Sequence, residues 1–274
     1  NQMLLNLSLL KYRVARWIER FPRLSIYIYN NAQKLIFFLP HEKDYHGILK
    51  VCKNSKKYSI IDVGANIGIS TLGFRKLGLS NPIYLFEPNY VLYKKYLINL
   101  KKREKNIFIF NLALDNKNEK KNLYIAHYKG TSIHFLSSFD KNYILNSIKM
   151  NKFNNKKINI IKKIVKCEKF DSLKIKFPPK FIKLDTEGHD YKVLIGMKKT
   201  IQKYKPIFLI EYNLSIFKRI SIFLKSYKPY IYDYKKNTFL EINRISKKKI
   251  SRQSENNLLS NRNIYFIPKG SKID

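Results

Sequence analysis

The stretch Ile60-Ile61-Asp62-Val63-Gly64-Ala65-Asn66-Ile67-Gly68-Ile69-Ser70-Thr71-Leu72 decides the fold. An apolar run from Tyr58 to Val63 stops at Gly64, Gly68 follows, and a helical pattern then begins. That order describes a buried parallel strand, a tight turn and a helix start. Gly64 permits the turn, and Gly68 lets the helix come close to the strand or to a ligand. A glycine loop at the carboxyl end of such a strand is a cradle for a nucleotide-type cofactor, because N–H groups at the helix start are free to bind it.

The spacing selects the kind of cofactor. A dinucleotide site uses Gly-x-Gly-x-x-Gly so that a pyrophosphate can rest on the helix. Here Asn66 stands where the second glycine would be, and Asp62 precedes the loop. A side chain narrows the space for a diphosphate, and a carboxylate repels one. Both features suit a cationic ligand, and S-adenosylmethionine carries a sulfonium, an ammonium and no phosphate. The next strand, Pro82-Ile83-Tyr84-Leu85-Phe86, ends in Glu87-Pro88. Glu87 lies at the distance downstream where an acidic side chain meets a ribose hydroxyl pair.

Four motifs in order, Ile61-Asp62-Val63-Gly64-Ala65-Asn66-Ile67-Gly68, Phe86-Glu87-Pro88-Asn89, Ile182-Lys183-Leu184-Asp185-Thr186-Glu187-Gly188-His189-Asp190 and Ile210-Glu211-Tyr212, resemble the FkbM family of S-adenosylmethionine-dependent methyltransferases. The resemblance covers about residues 58–213. It implies a Rossmann-like class I methyltransferase, an α/β fold whose seven-stranded, mostly parallel sheet carries helices on both faces. It also implies S-adenosyl-L-methionine as cofactor, held by Asp62, Gly64, Ala65, Asn66, Gly68, Glu87, Pro88 and Asp185, and O-methylation of a small-molecule, glycan or secondary-metabolite hydroxyl. Asn111 and Leu112, at the end of the third strand, fall where methyltransferases commonly approach the adenine ring.

The bulk composition sets the outer limits. A chain of 274 residues with 45% hydrophobic content can bury one α/β core and a small extension. Cys52 and Cys167 lie far apart and outside metal-ligand spacing, which implies free thiols in a reducing, cytoplasmic compartment. The formal charge of +36 raises the alternative of a nucleic-acid (RNA) methyltransferase. The lysines are spread along the whole chain, however, and there is neither an Asn/Asp-Pro-Pro-Tyr run nor a Pro-Cys pair for base chemistry. A catalytically inactive binding module is the other alternative, and the glycine spacing makes a dehydrogenase the poorest fit.

Residues 1–57 read as an N-terminal helical extension or lid, and 58–274 as the methyltransferase domain. Leu4, Leu7, Val14, Trp17, Ile18 and Phe21 fall near one helical face, with Arg13, Arg16 and Arg20 on another. Such a helix packs on its own domain or touches a membrane surface peripherally. No apolar stretch reaches the length of a membrane span. No basic region precedes Leu4 to Leu10 to make a signal peptide. The run His41-Glu42-Lys43-Asp44-Tyr45-His46 lacks the register of a metal site, so no metal is expected; in the family resembled, His41 or Tyr45 would lie near the cofactor.

Farther along, strands are predicted at Ile107–Phe110, Asn122–Ala126, Ile158–Phe170, Phe181–Asp185 and Ile207–Ile210, then a hairpin over 230–242 and a last strand at 263–268. The region 127–157 reads as an irregular insertion over the strand ends, where an acceptor pocket would be shaped. Because ligands bind outside the carboxyl ends of parallel strands, Asp62, Glu87, Asn111, Asp185 and Glu211 are expected around one crevice. Asp185, Glu187 and His189 are the catalytic candidates, with His189 or Asp185 as general base toward the acceptor hydroxyl. Lys183 stands in a strand that should be buried, so a neighbouring carboxylate such as Glu211 or Asp62 is expected to pair with it.

Overall fold

The computed structural model describes residues 43–52, 54–128, 131–150, 158–242 and 263–273. The basic amphipathic helix expected before Pro40, His41 and the lysine-rich linker 246–257 lie outside the described residues. The parallel strands are β1 (Ser59–Val63), β2 (Ile83–Phe86), β3 (Ile107–Phe110), β8 (Pro179–Leu184) and β9 (Ile207–Glu211). Short, almost wholly apolar sequences form them because both faces are covered. Ile61 and Val63 enter one hydrophobic core, while Ile60 enters the other on the opposite side of the sheet.

With β10 (Tyr227–Asp233), β11 (Thr238–Glu241) and β12 (Asn263–Pro268), these strands form a mixed eight-stranded sheet in the order β11-β10-β12-β9-β8-β1-β2-β3. The expected seven-stranded count is therefore corrected. Strand β12 inserts antiparallel between β9 and β10, and β11 extends the edge beyond them as the outer arm of a hairpin. The methyltransferase-like α/β architecture with a late antiparallel edge remains.

The second correction concerns the insertion 127–157, whose described residues form a strand and a helix between the expected strands at Asn122–Ala126 and Ile158–Phe170. Strands β4 (Ala113–Leu114), β5 (Glu119–Tyr128), β6 (Thr131–Ser138) and β7 (Ile158–Glu168) make a separate sheet in the order β4-β7-β5-β6. The β5 and β7 strands pair antiparallel from Glu119↔Cys167 to Tyr128↔Ile158. The helix Lys141–Met150 closes one face, burying Ile144 and Ile148 against Ala126, Ile133 and Leu136. Residues 43–52 are integrated with the main domain, since Tyr45, Ile48 and Cys52 are buried in the second core with Ile60, Phe74 and Phe181. Tyr45 Oη lies 3.0 Å from Ser70 Oγ, on the helix that follows the glycine loop. Both cysteines are buried thiols outside any disulfide, and burial pushes each up to about 11. Among the described residues, no helix is long and apolar enough to cross a membrane.

Candidate active site

The β1 strand runs straight into the glycine loop. Gly64, Asn66 and Gly68 all have positive φ, at 77°, 52° and 84°. The turn is anchored where Gly64 and Ala65 donate their N–H groups to the Phe86 carbonyl, each at 3.0 Å. Glu87 completes it from the end of β2. One carboxylate oxygen accepts the Asn66 N–H and the other the Asn89 N–H, both at 2.8 Å. This one buried side chain therefore ties together the loops after β1 and β2.

The loop after β8 forms the opposite wall. Glu187 (φ 52°) and Gly188 (φ 91°) both turn left-handed. Asp190 steadies the turn by accepting from the Thr186 N–H at 3.1 Å and the Thr186 hydroxyl at 2.7 Å. The second sheet reaches over to the same loop. Tyr143 donates its phenolic hydrogen to Glu187 at 2.6 Å, and the Ser138 hydroxyl donates to the Glu187 carbonyl at 3.1 Å. Beyond Glu187, the His189 ring packs against Phe139, with ring centroids 4.7 Å apart.

These walls enclose a cavity of about 210 Å³ at the carboxyl ends of β1, β2, β8 and β9. Gly64, Asn66, Glu87, Pro88, Asp185, Glu187, His189 and Glu211 line it, as do Phe86, Leu114, Leu123 and Phe139. Among the described residues, no lysine or arginine is in its wall. Several predicted residues stand behind the wall. Asp62 is fully buried, accepts from Thr71 at 3.0 Å and has its second oxygen unpartnered. Ala65 is buried, and Gly68 packs toward Leu97 and Leu100, where an added Cβ would stand 2.5 Å from a Leu100 methyl carbon. The Asn111 amide donates to the Glu87 and Pro88 carbonyls, Leu112 sits in the core, and Ala113 and Leu114 take the wall position instead.

Lys183 is buried beneath the site, beside Asp62 in the β1–β8 register. Its ammonium pairs at 2.8 Å with Asp185, two residues along the same face, rather than with Glu211 or Asp62 as expected. Burial opposes the lysine charge, but Asp185, Tyr45 and Asp62 outweigh it and hold the group well above the usual lysine range. Asp62 is raised because its desolvation exceeds the help from Lys183 and Thr71.

The sequence reading missed Tyr143, Ser138 and Asp115. Asp115 lies between the strands predicted at Ile107–Phe110 and Asn122–Ala126, yet it is fully buried and its carboxylate lies 3.2 Å from His189 Nε2. The buried Asp115 carboxylate meets Lys121 Nζ at 2.5 Å on its other oxygen, and these partners outweigh desolvation to hold it well below the usual range. No group of three metal-capable side chains converges among the described residues.

Burial, and secondarily neighbouring carboxylates, pushes Glu87 and Glu187 up to about 7 despite the hydrogen bonds each accepts. Desolvation followed by repulsion from Asp185 and Glu187 takes Glu211 up to about 8. An unfolded glutamate titrates at about 4.5, so from there to about 7 the folded chain binds more protons than the unfolded one. These groups thus make stability fall as pH rises through that window, whereas the depressed Asp115 acts only in more acidic solution. The melting temperature without ligand is expected to be higher at about pH 5.5 than at about pH 8. Scanning fluorimetry checks this, and a steady climb toward pH 8 contradicts it.

The family model of the methyltransferase FkbM domain matches residues 62–247, more than half of the chain. This chain belongs to the FkbM methyltransferase family. Among solved structures, the FkbM methyltransferase of Methylobacillus flagellatus KT aligns at 15% identity with a TM-score of 0.47, over 87% of this chain and 59% of that one. The present FkbM-family chain thus spans less than two thirds of that protein. Precorrin-6y C5,15-methyltransferase from Geobacter metallireducens GS-15 aligns at 10% identity with a TM-score of 0.39, over 81% and 84% of the two chains. The chain has no match among curated protein sequences.

Proposed function

We propose that this chain is an S-adenosylmethionine-dependent methyltransferase acting on a hydroxyl of a small molecule or glycan. The observation that carries the reading is a carboxylate-lined cavity set against the glycine loop, with no cation among the described wall residues. A pyrophosphate there would face Glu87, Glu187 and Glu211, beside the Lys183-paired Asp185, with no lysine or arginine among the described wall residues, whereas a sulfonium and an ammonium would be attracted. Each Glu87 oxygen accepts one backbone N–H, which leaves acceptor capacity on both for a ribose diol. Pro88, with the buried Leu114 behind it, offers apolar surface to a purine ring.

When bound, S-adenosylmethionine supplies an electrophilic methyl group. The chain's part is alignment, exclusion of water and removal of the acceptor's proton. The Asp185 carboxylate is engaged by Lys183 and that of Glu187 by Tyr143. His189 is the wall group assigned to take the proton, since the cation it becomes would face the Asp115 carboxylate. Among the described residues no lysine or arginine lines the cavity to receive a nucleic-acid phosphate.

Titration calorimetry with S-adenosylmethionine and with nicotinamide adenine dinucleotide tests the reading. Only the former should bind. Glu87→Gln should weaken it at least about tenfold, because a glutamine amide must turn its NH₂ toward a backbone N–H now accepted by an oxygen. Binding of the dinucleotide alone would overturn the assignment.

A further inference from the structure

His189 is held by more than the loop that carries it. The ring is buried in the cavity wall, with Phe139 packed on it and its Nε2 3.2 Å from Asp115 Oδ1. The contact is at ion-pair distance yet bent away from hydrogen-bond geometry, as catalytic contacts often are before a substrate tightens them. Asp115 itself cannot move freely. Its Oδ1 accepts the Asn116 N–H at 2.6 Å, and Lys121 grips Oδ2 while also reaching Glu119 at 3.1 Å. Its backbone is pressed by the helix Asp190–Gly196, since a Cβ on Gly196 would stand 2.0 Å from the Asp115 carbonyl oxygen. The same helix starts immediately after His189, so one rigid contact sets the spacing between carboxylate and imidazole.

We infer that Asp115 is the positioning residue for His189: it draws the Nε2–H toward its buried carboxylate and leaves Nδ1 as the nitrogen that accepts the acceptor's proton. This rests on the reading of His189 as the base. In the step, the acceptor O–H proton passes to Nδ1, and the oxygen bonds to the methyl carbon as its bond to sulphur breaks. The sulphur keeps that electron pair and leaves as the neutral thioether, while the imidazolium faces the Asp115 charge. A carboxylate so placed fixes the tautomer and stabilises the cation without becoming protonated itself. Lys121 keeps the carboxylate ionised and stationary and does not touch the cavity wall.

The test is the imidazole tautomer, a quantity that a purely structural role for Asp115 would leave alone. Two-bond ¹⁵N correlation spectra of histidine-labelled protein at alkaline pH resolve the 5 histidines, with His189 assigned by its loss in His189→Gln. The expected signal in the unaltered protein is the Nε2–H form. Asp115→Ala should lower the ratio of Nε2–H to Nδ1–H by about tenfold, while Asp115→Asn, which keeps an oxygen acceptor as Lys121 turns to Glu119, should preserve most of it. An Nδ1–H signal in the unaltered protein overturns the inference without any variant. An unchanged ratio in Asp115→Ala overturns it too. Methyl transfer surviving in His189→Ala would remove the base assignment but would not move the tautomer ratio, so the two ideas fail separately.

Discussion

Gly64→Ala is expected to destabilise the chain by about 3 kcal/mol or more and to abolish ligand binding at the loop. The Cβ would stand 1.9 Å from the Asp185 carbonyl oxygen, and the residue's φ of 77° already disfavours a side chain. The obstructing atom is backbone just past the end of β8, where the Asp185 N–H donates to the Val63 carbonyl of β1 at 3.1 Å. Relief therefore requires β1 and β8 to part at the ends that bear the cavity. Two other glycines separate the contributions. Gly78 has φ 81° and an added Cβ there would meet nothing within 4 Å, so alanine should cost only the backbone term of about 1–2 kcal/mol. Gly196 lacks the positive φ but meets the Asp115 carbonyl, which isolates overpacking at about 1–3 kcal/mol. Urea denaturation of the three variants checks the order, and equal losses for Gly64→Ala and Gly78→Ala would refute it.

Lys183→Met should destabilise the chain by about 3–5 kcal/mol. The side chain is 2% exposed and lies between the fully buried Asp62 and the partly exposed Asp185. Removing the ammonium leaves Asp62 with Thr71 as its one hydrogen-bond donor and no opposing charge beside it in the register. Asp185 can turn to water; Asp62 cannot. Most of the loss therefore traces to Asp62, and adding Asp62→Asn to Lys183→Met should recover at least about 1 kcal/mol. Strict additivity in the double-variant cycle, or a loss below about 1 kcal/mol for Lys183→Met alone, would show that the two charges do not support each other.

The parallel core was legible because its strands are short apolar runs that end at glycine or carboxylate, as Ile60–Val63 and Ile83–Glu87 do. The second sheet was legible only in part: Asn122–Ala126 and Ile158–Phe170 read as strands and fall in β5 and β7, but the start of β5, β6 and the pairing did not show. Glu119-Lys120-Lys121-Asn122 carries no apolar alternation, and β5 is a strand there because β7 pairs with it rung by rung. The site shows the same division. Glu87, Asp185, Glu187 and His189 come from loops at strand ends, where topology alone brings residues together. Asp62 was placed at the ligand by its motif, yet strand alternation puts it on the Lys183 face under the loop. Tyr143 meets Glu187 across 44 residues of sequence, and nothing local to either announces the contact. The partner of Lys183 followed from alternation, since Asp185 shares its face; the more distant carboxylates were the weaker choice.

The cavity has two makers. Gly64, Asn66 and Glu87 belong to the parallel layer, whereas Ser138, Phe139 and Tyr143 arrive on a detour of the chain between β4 and β8. A detour can be lengthened, trimmed or exchanged while the layer beneath keeps its register. On the proposed function, editing that one excursion would reshape the acceptor's wall and leave Glu87 and the glycine loop where they are.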